Sequence, residues 1–137
     1  MKADSASGSQ KTILLVDDEP QVRTLLGMSL RSAGFRVVEA ECALKALAII
    51  EQNGIECVDV LVTDIEMPKM DGITLAKQCK RHIPDLLVIA ISAFADIARP
   101  AIGTILDAFI QKPFLPHTLL KTVEDVLQKS VDPAQTI

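Results

Sequence analysis

Short runs of apolar residues alternate along the chain with longer stretches in which apolar residues recur at helical spacing. The short runs are rich in β-branched residues and predict five strands, at residues 12–16, 35–39, 58–63, 86–92 and 108–111. Most of them are continuously apolar, which is typical of strands buried on both faces. The pattern therefore favours an α/β protein, with a parallel sheet covered by helices on both sides.

Four segments between and after the strands predict helices, at residues 20–33, 43–52, 72–81 and from about 119 onward. In the first, Pro20 suits the opening turn and Gly34 the C-terminal stop. The apolar stripes comprise Val22, Leu25, Leu26 and Leu30 in the first helix, Leu44, Leu47, Ala48 and Ile50 in the second, and Leu119, Leu120, Val123, Val126 and Leu127 in the last. These stripes predict the faces that pack on the sheet.

The segment 94–106 has the weakest helical pattern. Pro100 and Gly103 interrupt it, so we expect a short or broken helix there. The last helix follows Leu115-Pro116, where no side-chain oxygen can cap it unless it begins later with Thr118 as the cap.

The ends of the chain are polar and contain little that could be buried. We expect flexible tails at residues 1–10 and 130–137 around a single domain at residues 11–129, with no room for an output domain after it.

Composition excludes several classes of function. The net charge of -4 and the pI of about 5.1 argue against direct nucleic-acid binding. No apolar run could span a bilayer, and the N-terminus lacks the apolar region of a signal peptide, so a soluble, cytoplasmic protein is expected. The three cysteines, Cys42, Cys57 and Cys79, lack CxxC spacing and predict reduced thiols rather than a disulfide or zinc site.

Polar residues follow four of the five predicted strands. Asp17-Asp18-Glu19 follow the first strand, Asp64 the third, Ser92 the fourth and Lys112-Pro113 the fifth. Ligands of open parallel sheets bind beyond the carboxyl ends of the strands, so these residues are candidates for a common site. Taken singly, the acids could merely cap helices, Ser92 could bond to the backbone, and Lys112 could be a solvated surface charge.

Together, the same residues suggest phosphoryl chemistry. Clustered carboxylates need a cation or shifted pKa values, and Mg²⁺ prefers oxygen ligands from one or two carboxylates plus phosphate. Asp18 and Asp64 fit as direct ligands. An ammonium group and a hydroxyl group can then bind phosphoryl oxygens, which suits Lys112 and Ser92.

Four motifs in this order, LLVDDEP, DVLVTDIEMPKMDG, IAISA and FIQKPF, resemble the receiver domain of two-component response regulators over residues 12–129. The resemblance implies a flavodoxin-like, doubly wound (βα)5 fold with a five-stranded parallel sheet in the order 2-1-3-4-5. It also implies phosphorylation of an aspartate in the presence of Mg²⁺ or Mn²⁺.

Carried over residue by residue, the resemblance makes Asp64 the phosphoacceptor. The metal ligands would be Asp18, Asp64 and the main-chain carbonyl of Glu66, with Asp17 acting through water. Ser92 and Lys112 would bind the phosphoryl group, and Pro113 would follow a cis peptide bond.

The remaining positions concern the conformational switch and the loop after the acceptor. Phe109 would be the aromatic switch residue, although by default a strand phenylalanine is simply core. Gly72 would supply a backbone geometry that other residues resist. His82 and His117 lack partners at suitable spacing and are expected on the surface, so neither is a phosphodonor.

The resemblance implies a histidine kinase or histidine phosphotransfer protein as donor and a downstream target protein as receiver of the signal. The fourth helix, fifth strand and fifth helix would form the output face, which could also serve a homodimer. Neither membrane insertion nor action on an external metabolite is expected, since the domain would catalyse only its own phosphorylation and dephosphorylation.

Two other hypotheses remain open. A phosphatase of the haloacid-dehalogenase kind also uses an aspartate nucleophile, but carries it in a DxD motif on the first strand. A binding module that works without phosphorylation would not require Mg²⁺.

Overall fold

The computed structural model describes residues 10–53 and 58–131, and these form alternating strands and helices. The strands are β1 (Thr12–Val16), β2 (Arg36–Ala40), β3 (Val60–Asp64), β4 (Leu87–Ser92) and β5 (Ala108–Gln111). The helices are α1 (Pro20–Ser32), α2 (Ala43–Asn53), α3 (Gly72–His82), α4 (Ala95–Ala98) and α5 (Pro116–Val131), and a 3-10 turn at Arg99–Ala101 follows α4.

All five strands are parallel and lie in the order β2-β1-β3-β4-β5. This confirms the predicted fold. In the register of the sheet, Val16 lies opposite Thr63, Asp64 opposite Ile91, and Ser92 opposite Gln111. The residues that end or follow β1, β3, β4 and β5 therefore meet at one edge.

Alternate residues of each strand point into two separate cores. Leu14, Leu61 and Val88 belong to one core with residues of α2 and α3. Ile13, Val60 and Ile89 belong to the other core with residues of α1 and α5. Because the central strands are buried on both faces, they are apolar without alternation, as the sequence pattern indicated.

Two leucines assigned to buried stripes are exposed: Leu25 by 53% and Leu44 by 56%. In α1 the buried positions are Leu26, Gly27 and Leu30, and Leu25 is turned away from each of them by about 100° or more of helix rotation. In α2 the buried line runs through Ala43, Ala46, Leu47 and Ile50, so two small alanines face the sheet and the larger Leu44 does not.

Some element ends differ from the prediction. β2 and β3 extend one residue further than expected, to Ala40 and Asp64, because pairing with the neighbouring strands continues to those positions. The last helix begins at Pro116, so Thr118 is not its cap, and it continues to Val131, two residues past the predicted end of the domain. A proline at the first helical position needs no partner for its missing N–H.

The interrupted segment after β4 is short, as expected. It contains one turn of α-helix, the 3-10 turn that includes Pro100, and Gly103 at a φ of 91°. The Gly103 N–H donates to the Leu106 carbonyl over 2.9 Å. Proline and a left-handed glycine together end the helix before a second turn can form.

Several predictions concern residues outside the described part of the chain, namely residues 1–9, Gly54, Cys57 and residues 132–137. Of the cysteines within it, Cys42 is half-buried and Cys79 is buried, and both are free thiols. Across residues 10–53 and 58–131, no helix has the length and apolar character needed to cross a membrane.

Candidate functional site

Three carboxylates meet at the carboxyl edge of the sheet. Asp17 and Asp18 follow β1, and Asp64 ends β3, the adjacent strand. Each offers a carboxylate oxygen within 4.8 Å of the others. Asp17 and Asp64 are only 1% and 2% exposed, whereas Asp18 is exposed. The site therefore has a buried floor and an open side.

Lys112 brings a positive charge from the end of β5 to this cluster. Its Nζ lies 2.9 Å from Asp64 Oδ1, and its side chain is 30% exposed. The contact is an ion pair, and within the described part of the chain no further group donates a hydrogen bond to the buried Oδ1. The Lys112–Pro113 peptide bond that follows is cis.

Burial shifts the pKa values of both buried acids upward. For Asp64, burial raises the pKa to about 6, Lys112 opposes this shift, and the charges of Asp17 and Glu66 add to it. For Asp17, burial also raises the pKa, against the N–H of Glu19, which donates to Oδ1 over 2.8 Å. Burial lowers the pKa of Lys112, but the nearby carboxylates outweigh it and the pKa is raised overall.

Ser92 ends β4 and is completely buried. Its hydroxyl donates to Glu66 Oε2 over 2.5 Å and accepts from the N–H of Phe94 over 2.9 Å. The side chain of Glu66 therefore holds the hydroxyl that was predicted to bind a phosphoryl group. Sequence reasoning assigned the Glu66 carbonyl to the metal and did not predict this contact of its side chain.

Gly72 is the first residue of α3 and follows the loop that begins after Asp64. Gly72 does not adopt a positive φ; Lys69 does, at 74°. What Gly72 provides is space, because a Cβ there would lie 2.2 Å from the main-chain oxygen of Asp64. The Gly72 N–H donates to the Ile65 carbonyl over 2.9 Å, so the start of α3 lies directly against the acceptor strand.

Phe109, on β5, is half-buried and packs against the same core as Ala98, Leu106 and Ala90. Phe109 therefore belongs to the core that also includes residues of α4 and of the segment before β5. His82 and His117 are both exposed. His82 lies 3.7 Å from Glu51, on the surface between α3 and α2, and neither histidine belongs to the acidic cluster.

Sequence reasoning missed Arg23, which contacts the site from α1. Its Nη1 donates to the main-chain carbonyl of Asp17 over 2.6 Å. A signal for it exists in the sequence of β2, RVVEA, where Glu39 stands between the apolar residues Val38 and Ala40 and is only partly exposed, so that it favours a cationic partner. Arg23 Nε lies 3.4 Å from Glu39.

The residues fit a hard divalent cation. All three side chains offer oxygen, which Mg²⁺ prefers, and the cluster is open to solvent on the side of Asp18. Among the described residues, the partner of the buried Asp64 Oδ1 is Lys112 Nζ at 2.9 Å, and no further hydrogen bond reaches that oxygen. A cation would offset the mutual repulsion of the acids and the cost of burying them.

Comparisons with known proteins agree with this geometry. The sequence profile described as "Response regulator receiver domain" matches residues 13–124. The chain is 40% identical over 130 residues to the sensor kinase CckA of Brucella abortus, covering 93% of this chain and 14% of CckA. It is 34% identical over 119 residues to the response regulator receiver protein CpdR of the same organism, covering 85% of this chain and 97% of CpdR.

A solved structure with the same fold is the CheY-like response regulator receiver domain protein of Methanospirillum hungatei. It superposes with a TM-score of 0.82 at 27% identity, over 92% of this chain and all of that one. The chain belongs to the response regulator receiver domain family, a family of two-component signal transduction. The receiver domain is mostly a domain of signalling and not an enzyme that acts on a metabolite.

Proposed function

We propose that Asp64 accepts a phosphoryl group from a phosphohistidine of a histidine kinase or histidine phosphotransfer protein, in a reaction that requires Mg²⁺ or Mn²⁺. The observation that carries this proposal is the environment of the Asp64 carboxylate. It is buried, lies within 4.8 Å of two further carboxylates, and pairs with Lys112 Nζ at 2.9 Å.

Asp18, Asp64 and the main-chain carbonyl of Glu66 would hold the cation directly, and Asp17 would hold it through water. Once bound, Mg²⁺ supplies charge neutralisation for the carboxylates and the phosphoryl oxygens. The elevated pKa of Asp64, about 6, falls when a positive charge is nearby, so the acceptor is held ionised at neutral pH.

In the transfer, a carboxylate oxygen of Asp64 forms a bond to phosphorus while the bond from phosphorus to the donor imidazole nitrogen breaks. The imidazole leaves with the electron pair of that bond. Lys112, at 2.9 Å from Asp64, is placed to pair with an oxygen of the incoming group. Positioning and charge stabilisation account for most of such a reaction. Water later hydrolyses the acyl phosphate, so the domain acts only on itself.

The phosphoryl group would also compete for the hydroxyl of Ser92. Ser92 would exchange its hydrogen bond to Glu66 for one to a phosphoryl oxygen, which moves the β4–α4 loop. Phe109, which belongs to the same core as Ala98, would rotate inward, with packing alone to stabilise it since it lacks a hydroxyl. The face formed by α4, β5 and α5 would then bind a target protein or a second copy of the chain. A cytoplasmic location remains a prediction from sequence.

The test is intact-mass analysis after incubation with acetyl phosphate, with Mg²⁺ or with a chelator. We expect one added phosphoryl group that requires Mg²⁺ and is lost in Asp64→Asn. Asp85→Asn is the control. Asp85 is exposed and precedes β4, whose opposite end lies at the site, so this variant should be modified like the wild type. Rapid turnover of small phosphoesters would favour a phosphatase instead. Absence of Mg²⁺ binding would favour a binding module that works without phosphorylation.

A further inference from the structure

The loop that carries Asp17 and Asp18 is fixed from the side by a guanidinium group. Arg23, on the first turns of α1, donates from Nη1 to the Asp17 carbonyl over 2.6 Å, and its side chain is only 16% exposed. The Asp17 N–H donates to the Ala40 carbonyl over 3.2 Å. Of these two main-chain contacts, the one made by Arg23 is charge-assisted and short, which makes it the stronger.

Arg23 is itself held in place by a second ion pair. Its Nε lies 3.4 Å from Glu39 Oε1, while Glu39 Oε2 lies 2.9 Å from Nη1 of Arg31. Gly27 lies between the two arginines on α1, and a Cβ there would come within 2.7 Å of Glu39 Oε2. The glycine therefore leaves room for Glu39 to reach across from β2 to α1.

The two arginines share Glu39 but differ in their other contact. Arg31 donates from Nη2 to the carbonyl of Val37, the second residue of β2, over 3.2 Å, and its side chain is 49% exposed. Only Arg23 extends to the acidic loop. A guanidinium group suits this position because its planar fork can serve two acceptors at once, which a lysine ammonium does less well.

We propose that Arg23 is a positioning residue for the divalent-cation site: by holding the Asp17 carbonyl, it fixes the loop on which the Asp17 and Asp18 carboxylates converge on Asp64. The inference rests on the proposed function, since it assumes that these carboxylates bind a cation. Removal of a group that hydrogen-bonds to metal ligands and orients them often lowers metal affinity tenfold or more. Arg23 acts through the main chain, so we expect about a tenfold effect on Mg²⁺ affinity.

The experiment is a Mg²⁺ titration of the full chain followed by the amide NMR shifts of Asp18 and Ile65, on the wild type, Arg23→Ala, Arg23→Lys and Arg31→Ala. Arg31→Ala is the matched control, because it removes an arginine from the same glutamate without touching the Asp17 carbonyl. Thermal unfolding without Mg²⁺ measures the stability lost in each variant. Exchange of the Glu19 amide, which donates to Asp17 Oδ1, reports on the loop itself.

We expect Arg23→Ala to bind Mg²⁺ about tenfold more weakly and to exchange the Glu19 amide faster, Arg23→Lys to lie in between, and Arg31→Ala to stay within about twofold of the wild type. Equal weakening by Arg23→Ala and Arg31→Ala would overturn the inference, because it would trace the effect to Glu39 and general stability. Unchanged Mg²⁺ affinity in Arg23→Ala would overturn it too. A wild type that binds no Mg²⁺ would instead refute the proposed function.

Discussion

Asp64 is a carboxylate that the fold buries at a cost. It is 2% exposed, and burial raises its pKa to about 6. A group maintained against this cost is typical of functional sites, where strained or charged residues are retained for their chemistry. The neighbouring Asp17, buried with a raised pKa, adds to the same cost.

The stability of the metal-free protein should therefore depend on pH through Asp64. Its folded pKa of about 6 lies above the ordinary 3.8, so the folded state binds the proton more tightly, and stability is lost as pH rises from about 4 through about 6. Asp64→Asn should raise the free energy of unfolding by about 1–3 kcal/mol at about pH 7.5, and by much less at about pH 4.

Urea unfolding in chelator at the two pH values measures this difference. Asp125→Asn, at an exposed position on α5, is the control and should change stability little at either pH. An Asp64→Asn variant that is less stable than the wild type at the higher pH would contradict the burial cost, and would mean that the ion pair with Lys112 outweighs it.

Gly72 should tolerate no side chain, for a reason of space. In Gly72→Ala, the Cβ would meet the Asp64 main-chain oxygen at 2.2 Å, and neither strand nor helix can yield without moving the acceptor. We expect a loss of about 3 kcal/mol in the free energy of unfolding. Gly34→Ala is the comparison: its φ is 100° but its surroundings are open, so about 1–2 kcal/mol should be lost. Equal losses in urea titrations would rule out the steric explanation.

At the residue scale, the sequence predicted which residues gather at the site but not how they are held there. Asp17, Asp18, Asp64, Ser92 and Lys112 were identified because each follows a predicted strand. The contacts of Glu66 with Ser92 and of Arg23 with Asp17 join different elements, so no local pattern reports them. The close approach of Gly72 to the main chain of Asp64 also joins two elements, so the sequence did not indicate which atom a side chain there would meet.

At the scale of elements, aspartates also fix the edge of the sheet opposite the site. Asp59 Oδ2 accepts from the Thr12 N–H and Asp107 Oδ2 accepts from the Val88 N–H, both over 2.8 Å. These N–H groups lie at the amino ends of β1 and β4. The site residues Asp17, Asp18 and Ser92 lie at the carboxyl ends of the same two strands. Lys80 Nζ lies 3.8 Å from Asp107 Oδ2.

Removing the acceptor at Asp107 should therefore cost more than removing its charge. Asp107→Ala leaves the Val88 N–H without its partner and should lower the free energy of unfolding by about 1–2 kcal/mol. Asp107→Asn keeps an acceptor oxygen and loses only the partly exposed ion pair with Lys80, so most of that stability should remain. Chemical denaturation of both variants distinguishes the hydrogen bond from the ion pair. An equal loss of unfolding free energy in the two variants would trace the stabilisation to the ion pair with Lys80.

The segment around α4 should open more readily than the longer helices. α4 has one turn, whereas α1 spans 13 residues, and Phe94, Ile97 and Ile102 are 57%, 48% and 46% exposed. Few buried contacts and short runs of backbone hydrogen bonds predict a low local opening free energy. Hydrogen exchange by mass spectrometry should show peptides from 94–106 exchanging before those of α1 and α5. Protection equal to that of α1 would contradict this account of a readily displaced loop.

Helix periodicity found the elements but not every buried face. The spacing in α1 and α2 placed Leu25 and Leu44 in the apolar stripes, yet both are exposed. The buried faces of these helices instead contain Gly27 in α1 and Ala43 and Ala46 in α2. Close packing of helices on a sheet favours small residues at the contact, and apolar periodicity alone does not distinguish size. The break at Pro100 and Gly103 was predictable because both residues oppose a helix by their covalent geometry.

At the scale of the whole molecule, the sheet order is what creates the site. β1 lies between β2 and β3, so the acids after β1 lie beside the end of β3, and β4 and β5 bring Ser92 and Lys112 to the same edge. Alternating strands and helices predicted a parallel sheet, but the order of its strands came from the resemblance to receiver domains and not from the periodicity. Apolar runs of similar composition can occupy any central position.

The central claim is that Asp64 carries the phosphoryl group, and chemical trapping of the product tests it most directly. The chain is incubated with acetyl phosphate and Mg²⁺, reduced with borohydride, which converts an acyl phosphate to an alcohol, and digested for peptide mass spectrometry. The account predicts homoserine at position 64, dependent on Mg²⁺, and unmodified aspartate at positions 17 and 18. Reduction at Asp17 or Asp18 with position 64 intact, in a protein that gains one phosphoryl group, would contradict it.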